Sequence, residues 1–135
     1  MKQYLFSLFS ILSLVGVNSF ATSTVCSSEQ LYFSDVRKDY GTQPQPGMLL
    51  GTRVIVYKGQ VLVKHEFIQG LGQHTIFPFQ ATLVGEAVVL EKQGNQISGN
   101  SVFKQQAVLS KMTLNKAEVV AQVEVVCKST WAMVP

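Results

Sequence analysis

A strict alternation of apolar and polar residues limits most strongly what this chain can fold into. The clearest case is segment 118–128. One of its faces carries Val119, Ala121, Val123, Val125 and Cys127, and the other carries Glu118, Gln122, Glu124 and Lys128 together with Val120 and Val126. A period of two with one polar face is typical of a half-buried antiparallel strand. No long segment of the chain shows the spacing of an amphipathic helix, so the pattern predicts an all-β protein.

Turn residues divide the remainder of the chain into further short strands. The predicted strands cover 31–36, 48–57, 61–68, 74–79, 81–91 and 97–112, with the last read as one strand or two. About seven or eight strands without crossover helices indicate a single antiparallel β-sandwich or a small β-barrel. The alternation by itself does not separate these two architectures.

The strongest hairpin signal lies around residues 58–59, a Lys-Gly pair between two apolar runs. A two-residue loop there would place Arg53 opposite Lys64, and directly opposed like charges destabilise a sheet. A three-residue loop over 57–59 would place Arg53 opposite Val63 and put its glycine in the left-handed position of a bulge. The three-residue loop is therefore the predicted one.

The N-terminal residues have the layout of a secretory signal peptide. Residues 1–3 carry one positive charge, residues 4–17 are largely apolar and uncharged, and Ser19 and Ala21 are small residues at the −3 and −1 positions of a cleavage site. A retained membrane anchor is the alternative, but the apolar run is shorter than the roughly 20 residues of a spanning helix. We predict a signal peptide over 1–21 and a single β domain over 22–135.

Export and a balanced charge narrow the partners that this domain could have. Cleavage after Ala21 would leave 114 of the 135 residues, with ten basic and eight acidic side chains scattered along them. A nucleic-acid-binding surface would cluster its basic residues, so we expect no nucleic-acid partner. We expect the mature domain to be periplasmic or secreted, with no stable membrane span.

Two cysteines lie near opposite ends of the predicted domain. Cys26 and Cys127 are separated by 101 positions, and an even cysteine count in an exported chain predicts a disulfide. Free thiols and an intermolecular bridge are the alternatives. Lipidation of Cys26 is disfavoured because Val25 precedes it, where a small residue is usual. Two cysteines without neighbouring ligands do not complete a zinc shell.

The side-chain inventory gives little support for catalysis. His65 falls on an apolar strand face, where a buried neutral imidazole is the expectation, and Glu66 points to the opposite face. His74 flanks a glycine-containing loop and is expected to be exposed. No nucleophile signature or phosphate-binding glycine loop is present. We therefore predict no catalytic residues, no metal and no cofactor.

Loops are the more promising place for partner contacts. Aromatic residues and prolines in or beside two predicted loops are the candidate partner-binding residues, namely Tyr40, Pro44, Pro46, His74, Phe77 and Phe79. Alternatively, Phe77 and Phe79 fill the core from an edge strand, since they lie two positions apart.

Three functions remain open at this point. The first is a non-catalytic binding or structural role, which could be inhibitor-like, with a protein or envelope component as the partner. The second is a ligand-carrying β-barrel, and the third is a hydrolase. An internal cavity would favour the carrier, whereas polar groups converging around His74 would favour the enzyme.

Overall fold

A computed structural model describes residues 19–39, 46–70, 77–95 and 97–134, and the all-β prediction is confirmed over them. These residues form one seven-stranded antiparallel sheet and contain no helix. The strands are β1 (Ser19–Ser27), β2 (Leu31–Asp39), β3 (Leu49–Tyr57), β4 (Gln60–Ile68), β5 (Phe79–Gly94), β6 (Ser98–Met112) and β7 (Ala117–Val134).

The strand order is β4-β3-β2-β1-β7-β6-β5, so the first and last strands pair at the centre of the sheet. The chain runs outward from the centre in β1–β4 and returns to it in β5–β7. Strands β3 and β5 contact each other although they lie near opposite ends of this order. The sheet is therefore open at its edges but curls, as in a small sandwich or barrel, and has a concave inner face.

One row of cross-strand partners on the inner face carries the core. The row runs through Val63, Ile55, Phe33, Cys26, Cys127 and Phe103. Cys26 and Cys127 are direct partners with Cα atoms 4.0 Å apart, and they form the predicted disulfide. Leu31, Ala107, Leu109 and Val125 complete the buried cluster from neighbouring rows. The disulfide indicates an oxidising environment.

The predicted three-residue loop between β3 and β4 is wrong. Lys58 and Gly59 both have positive φ and form a two-residue turn, which the Lys58 amide stabilises by donating to the Gln30 carbonyl. The like-charge pair is avoided by a register shift between Ile55 and Val56, which leaves Leu62 without an opposite residue.

This shift moves Arg53 opposite His65 and Lys64 opposite Val54. It also separates Val61, which is 59% exposed, from Val63 on the inner face. The bulge therefore decides which side chains of β4 face the interior.

Strand β1 is absent from the sequence-based prediction. It starts at Ser19, inside the expected signal peptide, and its many Ser and Thr residues show no apolar alternation. Hydroxyl pairs help to join it to β7. Ser23 Oγ lies 2.5 Å from Thr130 Oγ1, and Thr24 Oγ1 lies 3.4 Å from Ser129 Oγ.

The long C-terminal strands also depart from the prediction. A register shift between Leu109 and Ser110 leaves Val120 unmatched, so Val119 lies on the outside and is 67% exposed. The segment predicted over 97–112 forms a single strand, β6, which starts at Ser98, and β7 continues past the predicted end at Lys128. Of the strand predicted over 74–79, residues 74–76 lie outside the described residues, and β5 starts at Phe79.

Candidate functional site

A second cross-strand row on the inner face is polar, next to the core row. Its members are direct partners across all seven strands, in the order His65, Arg53, Asp35, Thr24, Ser129, Ser101 and Lys92. We call this set the polar row. Charged side chains on an inward face need partners, because burial without them is costly.

A cleft of about 570 Å³ opens between β1–β3 and the start of β5, beside the end of β6. Ligand sites in proteins are commonly concave, predominantly apolar and about 300–1,000 Å³ in volume. The apolar part of this wall includes Phe33, Ile55, Phe77, Phe79, Ala81 and Leu83, whereas its polar part includes Thr24, Asp35 and Arg53. The cleft therefore has the size and the lining of a small-molecule site.

Asp35 and Arg53 form an ion pair in the wall of the cleft. Arg53 Nη2 donates to Asp35 Oδ2 at 3.3 Å, which is long for a charge-assisted hydrogen bond. The Arg53 side chain is 28% exposed and the Asp35 side chain is 37% exposed. Arg37 Nε lies 3.8 Å from the other Asp35 oxygen, and the Arg37 side chain is 70% exposed.

The Asp35 carboxylate is incompletely satisfied. Among the described residues, its Oδ1 atom is buried and has no hydrogen-bond partner. Ion pairs with an exposed member contribute little to stability, whereas a buried polar atom without a partner is costly. The ion pair therefore contributes little to the stability of the fold.

Aromatic rings surround the Arg53 guanidinium. Its Cζ atom lies 5.4 Å from the ring centroids of both Phe67 and Phe77. His65 meets the same two rings edge-on, with centroids 4.7 and 5.1 Å away, and the two Phe rings lie 5.9 Å apart. These contacts hold the guanidinium by cation–π attraction and restrict its rotamers.

His65 lies on the inner face, as predicted, but it is half-buried rather than fully buried. Its neighbours are aromatic rings and Arg53. The described residues contain no group of three His, Cys, Asp or Glu side chains that could hold a metal ion.

Three of the six predicted partner-binding residues lie within the described part of the chain, and three lie outside it. Tyr40, Pro44 and His74 lie outside the described residues. Pro46 is exposed in the turn that precedes β3. Phe77 and Phe79 are half-buried, pack against the core and line the cleft. Packing against the core agrees with the alternative that these two residues fill the core. They also belong to the candidate site, because they line the cleft.

Sequence reasoning missed Asp35 and Arg53 as a site. Asp35 follows Leu31 and Phe33 on the same face of β2, and a carboxylate on an otherwise apolar face predicts a partner. That signal was present, but its partner Arg53 is set by the register of β2 against β3, which the alternation of the sequence does not fix.

The outer face offers a contrasting apolar row. Val61, Tyr32, Val126 and Val88 are exposed, and cross-strand partners connect them in one row through Val56, Ser27 and Lys104. We call this set the outer row.

In the described part of the chain, no helix is long and apolar enough to span a membrane.

Comparison of the chain with protein-family models, curated proteins and solved structures finds no match.

Proposed function

We propose that this protein is an exported, non-catalytic binding domain that holds a small, largely apolar molecule in the cleft. The observation that carries the proposal is the cleft itself, whose largely apolar wall carries one charged pair, the polar corner formed by Arg53 and Asp35. Apolar walls supply affinity and a few placed polar groups supply orientation. Of the functions that the sequence left open, the cleft favours the ligand carrier.

The side chains at the polar corner suit binding better than catalysis. General acid–base chemistry requires a group placed to transfer a proton, and nucleophilic catalysis requires a nucleophile beside a base. Of the described residues that line the cleft, two are charged, Asp35 and Arg53, and they pair with each other. Among the described residues, the imidazole is that of His65, and it packs against the rings of Phe67 and Phe77. This arrangement supports ligand binding rather than catalysis.

Export belongs to the same proposal. The predicted signal peptide would direct the chain out of the cytoplasm, and the disulfide indicates an oxidising environment. We propose a periplasmic or secreted location, where the cleft would sample ligands outside the cytoplasm.

An uncharged apolar dye tests the proposed site. N-phenyl-1-naphthylamine should bind the purified protein and gain fluorescence. Ala81→Trp should abolish this gain, because Ala81 lines the cleft and a large ring would fill it. Ala87→Trp is the matched control, since Ala87 is exposed in a register shift of β5 away from the cleft.

Circular dichroism and thermal melting of both variants establish that they are folded. Ala81→Leu, a smaller change, provides a second variant if the tryptophan prevents folding, and it should weaken dye binding. Equal dye binding by folded Ala81 and Ala87 variants would contradict the proposal.

A further inference from the structure

The Arg53 guanidinium has hydrogen-bonding capacity that the described part of the chain does not use. A guanidinium carries five N–H donors in a planar fork. Within the described residues, Arg53 makes a single hydrogen bond, the long contact of Nη2 with Asp35 Oδ2. Asp35 does not close a bidentate pair, because its Oδ1 atom makes no hydrogen bond there. Several donors of Arg53 therefore remain for another acceptor at the wall of the cleft.

The charge balance at this corner favours an anion. Asp35 is one carboxylate between two guanidinium groups, those of Arg53 at 3.3 Å and Arg37 at 3.8 Å. The three side chains together carry one net positive charge. A cationic ligand would meet two like charges, whereas an anionic one would compensate the excess.

The surroundings of Arg53 match a carboxylate in particular. The Phe67 and Phe77 rings restrain the guanidinium, so less side-chain freedom is lost when a ligand binds. A restrained planar fork matches the two oxygens of a carboxylate. Because a single arginine lines the cleft and most of the remaining wall is apolar, a monoanion fits it better than a more highly charged group.

We propose that the cleft binds a small carboxylic acid with an apolar body, whose carboxylate accepts hydrogen bonds from Arg53. This inference rests on the proposed function and assigns the ligand class for the same site. The apolar body lies against Phe33, Phe79 and Leu83. Asp35 is a positioning residue that holds Arg53 through one oxygen.

Matched acid and alcohol ligands test the head group. Dodecanoate is compared with 1-dodecanol, and 2-naphthoate with 2-naphthalenemethanol, by displacement of the bound dye at neutral pH. The acid of at least one pair should bind about tenfold or more tightly than its alcohol, since hydrogen bonds to charged groups contribute more than neutral ones. Equal affinities within both pairs would overturn the assignment.

Variants of the Asp35–Arg53 ion pair test whether the preference for the acid over the alcohol depends on Arg53. The double variant Arg53→Gln with Asp35→Asn removes both charges without leaving either one unpaired, and it should lose the preference for the acid. Asp35→Asn alone should keep or increase the preference, because it removes the repelling carboxylate while its amide oxygen can still accept the hydrogen bond from Arg53. Lys64→Gln on the exposed outer side of β4 is the control and should leave the preference unchanged.

The outcomes separate the ligand class from the proposed function. If the double variant keeps the preference for the acid, Arg53 is not the carboxylate site. If acids and alcohols bind equally and Ala81→Trp blocks both, the cleft binds ligands but the carboxylate assignment is wrong. If none of the ligands displaces the dye and Ala81→Trp does not affect dye binding, the proposed function is wrong as well.

Discussion

Arg53 shows how a single side chain can join fold and function in this protein. It lies between the apolar positions of β3 on the inner face, where its charge is balanced by Asp35 and its guanidinium contacts two Phe rings. The sequence identified Arg53 as a residue that constrains the hairpin, because a like charge opposite it would be unfavourable. It did not identify Arg53 as a site, since its pairing with Asp35 depends on the register of β2 against β3, which the alternation does not fix.

The environment of His65 gives a prediction at the scale of one residue. His65→Ala removes two edge-on contacts, with Phe67 and Phe77, and should lower the free energy of unfolding by about 1 to 2 kcal/mol. This is less than expected for a fully buried side chain, because His65 is half-buried. Urea denaturation measures the change.

Lys64→Ala is the matched control for His65→Ala. Lys64 is the exposed neighbour on β4 and should change the stability by less than about 0.5 kcal/mol. Indistinguishable urea midpoints for the two variants would show that the aromatic contacts of His65 contribute nothing measurable.

At the scale of elements, the alternation located the strands better than their ends or their registers. β2, β3, β4 and β6 lie where the apolar periodicity placed them, because half-buried strands must present one apolar face. β1 was missed, since hydroxyl pairs with β7 take the place of an apolar pattern in it. The bulges at Leu62 and Val120 were missed because an unmatched residue reflects packing against other strands.

The disulfide supplies the prediction at this scale. Cys26 and Cys127 join the central strands β1 and β7 and close a loop of 101 positions. The double variant Cys26→Ser with Cys127→Ser should lower the free energy of unfolding by about 2 to 5 kcal/mol, and it leaves no single reactive thiol. Chemical denaturation with and without a reducing agent provides the measurement.

Reduction should bring the wild-type protein close to the double variant and should leave the variant itself unchanged. If the reduced wild type is as stable as the oxidised protein, the bond does not stabilise the fold.

At the scale of the whole molecule, the sequence predicted one curled all-β domain, but the cleft arises only from the way in which the sheet closes. Phe79 and Ala81 of β5 approach Ile55 and Arg53 of β3 because the sheet curls between them. The two segments are far apart in the chain, and no local pattern encodes their approach. The sequence singled out Phe77 and Phe79 of the cleft wall, but neither the ion pair beside them nor the way in which the wall assembles.

Processing of the N-terminus is a prediction about the whole chain. Cleavage between Ala21 and Thr22 should give an exported protein of 114 of the 135 residues. Ser19–Ala21 pair with Ala132–Val134, so cleavage would shorten β1 to its pairs from Thr22 onward and leave the disulfide register intact. Intact mass spectrometry of the exported protein identifies its first residue.

An N-terminus at Met1 would contradict this prediction. A lipid on Cys26 would do so too, because a lipid-modified thiol could not also form the disulfide.

Amide chemical-shift mapping by NMR tests the claim that the cleft is the binding site most directly. Isotope-labelled protein is titrated with dodecanoate. The account predicts the largest saturable shifts at cleft residues such as Phe33, Arg53 and Ala81, and no comparable shifts along the outer row of Val61, Tyr32, Val126 and Val88. Shifts concentrated on the outer row, or an unchanged spectrum at saturating ligand, would contradict it.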